Sequence, residues 1–591
     1  MIVKKNKIKN ESHRVSKLNS LCRYGTLLIC GVLLILAFPS FNYYLLAWVG
    51  LLPLYFLVRN LKWYKAWLGG FVWGYGWSVA LCWWLGEIEF FIPLGISFVL
   101  ACFFAFWAVT VPIMRRYMFV PVKVQLEGYE TEQKYYRSHN FYLAEIFSAL
   151  FLASWWCVIE WTRSWLFTGL PWNLMAVSQW NQYPLIQICS YTGIYGVSFL
   201  IVFFNIAIGD AIYRYYLAFK YVNNRKKFPV SFYISVALIA LTFIFGVKQI
   251  NEYQSKSKLR NIIYKAGVVE GNIPQCRVYN AENALNALNV YSSFSNDILK
   301  FKPDILIWPE SAVPQPLRGS GYLSRKYRTA LADLIKEYKI PILLGTMDFG
   351  FGETRENGEL PIYNSAILID SVGKVKDKYN KMHLVPWGEY TPFEYTFPFK
   401  YFYPWIKSTF GMGRSLAQGT ENKVFNLNKD VRASVLICYE DIFPAVARGH
   451  VLAGANMLIL ITNDAWYPTS DEPEQHLAQA VFRAVENSRI MIRVGNSAGT
   501  CVVLPTGIIT NSLFYNFDDK IKEMVPDPTQ RGSGTAVFKV NIQENPELTF
   551  YTKYGNIFIL ICGIISCLSF IWVFFRWIEK KKKLLDIISK Q

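Results

Sequence analysis

The sequence predicts a two-part membrane protein: a bundle of apolar helices, then an α/β domain, then one further apolar helix. Three observations carry this. A chain of 591 residues that is 53% hydrophobic, with mean hydropathy +0.21, is too long for one ordinary domain and too apolar for a purely soluble protein. Apolar runs long enough to cross hydrocarbon, roughly 20 residues each, crowd the first 250 positions and return once at the end. The stretch between them alternates short β-branched runs with helical pattern.

Seven spans precede the α/β region, centred on Gly25 to Ala37, Leu45 to Val58, Ala66 to Leu85, Pro93 to Ile113, Ile146 to Trp161, Tyr195 to Ile212 and Val230 to Val247. An eighth runs from Tyr554 to Phe575. The second is short enough to be re-entrant. The first resembles a signal-peptide core, but its basic leader is long, no A-x-A site follows, and six more spans come after it, so it reads as a retained helix. The expected division is a transmembrane bundle over 1–250, an α/β domain over 251–550, and a C-terminal helix with a basic tail over 551–591.

The net charge of +19 does not point to nucleic acid, because the basic residues gather beside the spans and form no interior patch. Lys4, Lys5, Lys7, Lys9, Arg14, Lys17 and Arg23 precede the first span, and Arg59, Lys62 and Lys65 follow the second. Arg115 and Arg116 follow the fourth, Arg225 to Lys227 the sixth, and Arg576 with Lys580 to Lys583 the eighth. The alternate loops are nearly bare, Arg163 being the main exception. The positive-inside rule then puts both termini in the cytoplasm and the α/β domain on the opposite face, the periplasm in a bacterium. Of the 11 cysteines, only Cys276, Cys438 and Cys501 lie outside the membrane region. None forms a C-x-x-C pair, and the 5 histidines show no ligand spacing, so no metal or other cofactor is expected.

Candidate strands in the α/β region are Ala266 to Val269, Ile305 to Trp308, Ile340 to Gly345, Ser365 to Ile369, Ala433 to Ile437, Leu458 to Thr462, Ile490 to Val494 and Ala536 to Val540; helical pattern fills Ala281 to Leu299, Tyr327 to Tyr338 and His476 to Glu486. Three strand ends carry polar groups. ILIWPESAVP places Glu310 beyond a buried strand, where Pro309 ends the ladder. YNKMHLVPWGEYTP places Lys381 after a strand and turn, with Glu389 further on. VLICYED ends a third strand on Cys438. Each alone reads as a solvated charge or a filler thiol; their coincidence in one domain points to chemistry.

Together these motifs resemble the Glu-Lys-Cys triad of the nitrilase superfamily, and within it the apolipoprotein N-acyltransferase family. The likeness also takes in EWTRSWLFTGLPW, SYTGIYGVSF, NDAWY and QHLAQAVFRAVENSR, in that order, within the membrane frame. It implies an αββα nitrilase-like domain of the inner membrane's periplasmic face. It also implies a ping-pong reaction moving an acyl chain from a phospholipid, mainly phosphatidylethanolamine, through a thioester to the α-amine of a diacylglyceryl-modified apolipoprotein.

In that chemistry Cys438 is the nucleophile, Glu310 the base that activates it, and Lys381 the fixed charge stabilising thiolate and oxyanion. The backbone N–H of Tyr439 is a second oxyanion donor. By resemblance, Glu389 orients Lys381 and Glu440 supports the loop carrying the thiol; Asp441 receives no role. Tyr279, Trp387, Tyr390 and Trp466 are candidate substrate contacts, Tyr279 standing where the family usually carries tryptophan. The aromatic segment Trp387 to Trp405 suits a bilayer interface, its bland alternative being a buried aromatic cluster. The loop Thr469 to Gln475 reads as a second flap, with Pro468 where the family usually has glycine. Rival readings are a Cys-His pair of Cys438 with His383 or His476, a membrane-tethered amidase acting on a small amide, and a non-catalytic lipid- or partner-binding scaffold.

Overall fold

The computed structural model describes residues 20–118, 125–126, 129–130, 139–220, 228–256, 261–275, 280–350, 360–394, 396–397, 400–404, 415–518 and 522–589. Among the described residues six helices are long and apolar enough to cross a membrane: Ser20–Ala37, Ile92–Tyr117, Tyr142–Arg163, Tyr195–Tyr216, Val230–Ser255 and Ile557–Lys582. The two remaining predicted spans are built differently. Tyr44–Val58 is a shorter apolar helix, a 3-10 turn leading into Leu52–Val58. The other is a helix over Trp63–Leu81, rich in Gly, Trp and Tyr where the long helices carry aliphatics. Its glycines serve packing. A Cβ at Gly70 would lie 2.4 Å from Ala108 Cβ, and one at Gly74 would lie 2.6 Å from the Phe104 ring, so small residues let this helix pack closely against Ile92–Met118.

The α/β region holds two six-stranded sheets. The first contains β1 (Asn261–Glu270), β2 (Ile305–Ile307), β3 (Ile342–Phe349), β4 (Ile362–Ile369) and β5 (Val375–Asn380). The second contains β6 (Phe425–Asn426), β7 (Arg432–Ile437), β8 (Met457–Asn463), β9 (Ile490–Asn496), β10 (Cys501–Val503) and β11 (Ile509–Ser512). A separate hairpin, β12 (Tyr515–Asp518) and β13 (Glu523–Pro526), precedes β14 (Gly534–Gln543), which completes the first sheet in the order β14-β1-β2-β3-β4-β5. Strands β1, β2 and β3 run parallel, as do β7, β8 and β9. The sequence reading missed β5, β6, β10, β11, β12 and β13, which are short or carry charge.

Side-chain alternation along the strands assigns the layers. Val435, Ile437, Ile459 and Ile461 join Val268, Ile307, Leu343 and Leu368 in one core between the two sheets. The opposite face of the first sheet, including Leu306, Leu344 and Ile367, packs on α1 (Ala281–Leu299) and α2 (Tyr322–Tyr338). The opposite face of the second sheet, including Leu436, Leu458 and Leu460, belongs to a core shared with α3 (Pro444–Leu452), α4 (Glu472–Asn487) and the N-terminal helices. The domain is therefore an αββα sandwich, with one helical layer pressed between a sheet and the bundle. This is why α4 is buried all round, whereas α2 keeps a polar face.

That junction is polar as well as apolar. Trp172 Nε1 and Asn173 Nδ2 each donate to Gln475 Oε1 at 2.7 Å, and the Ile194 N–H donates to Glu486 at 2.9 Å. Arg163, the exception to the charge pattern, is buried and donates to the Trp172 carbonyl at 3.1 Å. It holds the loop that meets the α/β domain.

Candidate active site

The parallel strands end on the same side of the sandwich, and the three motif residues leave those ends. Glu310 lies beyond β2. Strand β3 runs so close beneath it that a Cβ on Gly345 would sit 2.6 Å from Glu310 Cα; only glycine permits that approach. Lys381 follows β5, and its backbone N–H donates to the Asn364 carbonyl at 2.8 Å. Cys438 follows β7 and opens a single 3-10 turn, Cys438–Ile442. Its φ of +51° is left-handed, a conformation that a non-glycine residue keeps only when its surroundings impose it.

The groups converge. Lys381 Nζ is 3.0 Å from Glu389 Oε2 and 3.6 Å from Glu310 Oε1. The Glu310 carboxyl and the Lys381 charge both act on the Cys438 thiol. Burial pushes the Glu310 carboxyl above its usual range, and Lys381 offsets part of that rise. Burial opposes the Lys381 ammonium, but Glu389 and Glu310 outweigh it and hold the amine protonated well beyond its ordinary range. Burial and Glu310 raise the Cys438 thiol, with Lys381 pulling the other way. The resting group is thus a neutral thiol beside the Glu310 carboxyl and a held cation, an arrangement that requires a base to generate the thiolate.

Two neighbours complete the frame. Asn364, which the sequence reading did not single out, donates Nδ2 to both Glu310 Oε1 and Glu389 Oε1 at 2.7 Å. Its one sequence signal is a buried Asn in the middle of an apolar strand, YNSAILI. Glu440 binds the lysine loop to the nucleophile turn: Oε1 accepts from Tyr379 Oη at 2.7 Å and from the N–H groups of Met382 and His383 at 2.6 and 3.1 Å, while Oε2 accepts from the Ile437 N–H at 2.8 Å. Burial pushes the Glu440 carboxyl up to about 7.

The other candidates fall in different places. The Tyr439 hydroxyl donates to the Gly169 carbonyl of the N-terminal region at 3.1 Å. Trp387, with φ +65°, is half exposed, as is Trp466; Tyr390 is partly buried and bonded to Thr168. Tyr279 and Cys276 lie outside the described residues, as do Tyr395, Phe399 and Trp405 of the aromatic segment. Phe393, Phe397, Tyr401 and Phe402 of that segment are exposed, not a buried cluster. In the second predicted flap, Thr469 donates to Glu87 at 2.7 Å and Arg531 donates to the Tyr467 carbonyl at 2.9 Å. The Cys-His rivals find their imidazoles engaged elsewhere. His383 Nε2 is 3.0 Å from the Thr168 carbonyl and its ring packs on Phe443, while both His476 nitrogens face carboxylates.

Comparison with known proteins matches two family models to the two parts: an apolipoprotein N-acyltransferase N-terminal domain over residues 30–207 and a carbon-nitrogen hydrolase domain over residues 265–516. The chain is 28% identical over 560 residues to the apolipoprotein N-acyltransferase of Geobacter metallireducens, covering 93% of this chain and 95% of that one. It is 27% identical over 516 residues to that of Rickettsia typhi, covering 86% and 89%. Apolipoprotein N-acyltransferase 1 of Treponema denticola aligns at 25% identity over 571 residues, covering 92% and 93%. With the two family models matched in order and these relatives aligned nearly end to end, the chain is similar to apolipoprotein N-acyltransferases across both of its parts, and its α/β part matches the carbon-nitrogen hydrolase model.

Proposed function

We propose that the protein is a membrane-bound N-acyltransferase that moves an acyl chain from a phospholipid to the α-amine of an apolipoprotein's diacylglyceryl-modified N-terminal cysteine. The observation that carries this is the contact of Glu310, Lys381 and Cys438 at strand ends that abut an apolar helical bundle. In the first half-reaction Glu310 takes the Cys438 proton and the thiolate attacks an ester carbonyl, phosphatidylethanolamine's sn-1 ester being the expected donor. Lys381 and the Tyr439 N–H stabilise the oxyanion. As it collapses, the ester C–O bond breaks, Glu310 returns the proton to the leaving alkoxide, and lysophospholipid departs. In the second half-reaction the acceptor amine attacks the thioester. Glu310 takes its proton and passes it to the departing Cys438 sulfur, leaving an amide and the free enzyme.

The membrane arrangement follows the same reading. Eight spans over 1–250 and 551–591 count Tyr44–Val58 and Trp63–Leu81 with the six longer helices, both termini are cytoplasmic, and the domain over 251–550 is periplasmic. The exposed aromatics between Trp387 and Phe402 meet the bilayer, so that acyl chains stay in hydrocarbon and water is kept from the thioester. Trp387, Tyr390 and Trp466 line the approach to the thiol.

The test is transfer itself, with purified protein in bilayer nanodiscs, labelled phosphatidylethanolamine and a synthetic diacylglyceryl-cysteine peptide. N-acylated peptide and an equal amount of lysophospholipid are expected. Hydrolysis of small amides without transfer would replace this reading with an amidase, and folded protein doing neither would leave a binding scaffold.

A further inference from the structure

Asp441, given no role by the sequence, is the fully buried end of a second ionic cluster on the far flank of the nucleophile turn. His476 Nε2 is 2.8 Å from Asp441 Oδ1, and His476 Nδ1 is 3.2 Å from Asp464 Oδ1. Asp464 also accepts from Thr462 Oγ1 at 2.7 Å and from Arg493 at 2.8 Å. Glu472 stands one helical turn before His476, 3.6 Å from Nδ1.

Asp464, Glu472 and His476 bring their ligand atoms within 4.8 Å of one another, the spacing of a metal site. The donor set argues for another use. A carboxylate is acceptor-only, so an imidazole with a carboxylate at each nitrogen carries a proton on both and has no lone pair to offer a metal. Burial disfavours that imidazolium, but Asp441 and Asp464 outweigh burial and hold His476 well above its ordinary range. Burial raises the Asp464 carboxyl, while His476 and Arg493 outweigh it and hold it ionised. Burial and Asp464 keep the Glu472 carboxyl raised. The His476 imidazole and the Arg493 guanidinium thus face Asp441 and Asp464 in a buried cluster.

The cluster reaches Cys438 along two routes. Asp441 lies on the same 3-10 turn, whose Asp441 and Ile442 carbonyls also accept from Arg483. Thr462, bonded to Asp464, and the Asp464 charge both act on the Cys438 thiol. Gln475, the neighbour of His476, is the residue gripped by Trp172 and Asn173, and the Trp172 ring lies 5.9 Å from the imidazole.

We propose that His476 is a positioning residue for acyl transfer: it ties Asp441 of the nucleophile turn to Asp464 beyond β8, fixing the left-handed Cys438 and the direction of the Tyr439 N–H. This rests on the reading of Cys438 as nucleophile. It deepens that reading by making the helix packed against the bundle the part that aims the thiol.

The test uses full-length protein in nanodiscs carrying His476→Gln, which keeps a polar side chain but loses the charge, with Asp441→Asn as a second probe. Two quantities are read: the single-turnover rate of acyl-adduct formation from labelled phospholipid, and the pH dependence of Cys438 alkylation by iodoacetamide. The groups acting on that thiol are Glu310, Lys381, Asp464 and Thr462; those facing His476 are Asp441, Asp464, Glu472 and Arg493. Without the imidazolium, the Asp464 charge acts on the thiol less compensated, so the alkylation profile moves to higher pH. Adduct formation falls about 100-fold, the cost of a misdirected oxyanion donor, while the phospholipid KM changes less than about threefold. Loss of fold alone would lower the amplitudes of adduct formation and of alkylation without changing the rate or the profile of the protein that remains folded. A wild-type rate and profile in His476→Gln overturns the positioning role, as does an unmoved profile in both variants. Persistence of the adduct in Cys438→Ala would instead overturn the nucleophile reading beneath it.

Discussion

The two sheets contribute to the site in different ways. The ends of β2, β4 and β5 hold Glu310, Asn364 and Lys381, ordinary backbone bearing charged groups that touch one another and Glu389. The ends of β7 and β8 hold Cys438 and Asp464, where the backbone itself is forced into a left-handed residue and the surrounding charges close on each other. The first half is built for proton transfer and charge stabilisation. The second is built for presentation, and Glu440 binds the halves together.

If this division is right, removing a group from the first half should cost the most. Glu310→Gln keeps the bond from Asn364 but loses the base, and acyl-enzyme formation should fall by about 10³-fold with Tm unchanged. Lys381→Met should lower the same rate by about 10² to 10³-fold and leave Glu310 without its nearest cation. Single-turnover adduct kinetics measure both. A smaller effect should follow Asn364→Ala. Its hydrogen bond lowers the Glu310 pKa, so its loss raises that pKa, and the acidic limb of the rate profile should move to higher pH with about a tenfold drop in rate.

Glu440 tests the link between the halves through stability. Its carboxyl rises from an ordinary 4.5 to about 7 on folding, so the folded state binds the proton more tightly than the unfolded one. The resulting stabilisation is fully present below 4.5 and is lost as pH rises through 7. Glu270, also pushed up to about 7 by burial, acts in the same direction. The unfolding free energy of the detergent-solubilised protein should therefore decline over that window by an amount on the order of 1 to 3 kcal/mol per group, read as a falling Tm. Glu440→Gln should remove only its own share. The smallest effect belongs outside both halves: replacing exposed Phe397 and Tyr401 with Ser should raise the phospholipid KM a few-fold, about 1 kcal/mol of interfacial contact, and leave kcat alone.

Local pattern revealed much of this and missed the rest for physical reasons. The strand runs around Val435 and Leu458 were legible because both faces are buried, and Glu310 and Cys438 stood out as polar groups ending apolar runs, Lys381 being found through its motif. Strand β5 was not legible, because VKDKYN carries charge along a sheet edge. Asn364 gave only the faint signal of an amide within an apolar strand. Asp441 was opaque because its partner lies 35 positions away, at 2.8 Å, on a helix that reads as an ordinary amphipathic segment. The helix over Trp63–Leu81 was read as an apolar span from Ala66 to Leu85, and the packing that lets glycine and tryptophan replace aliphatics appears only with its neighbour in place.

The most direct measurement on the central claim is the mass of the Cys438 peptide after the protein is incubated with phospholipid and no acceptor. An increase of one acyl chain on Cys438, labile to hydroxylamine and discharged by a diacylglyceryl-cysteine peptide, is the predicted result. An unmodified Cys438 in folded protein that still transfers acyl chains would contradict it.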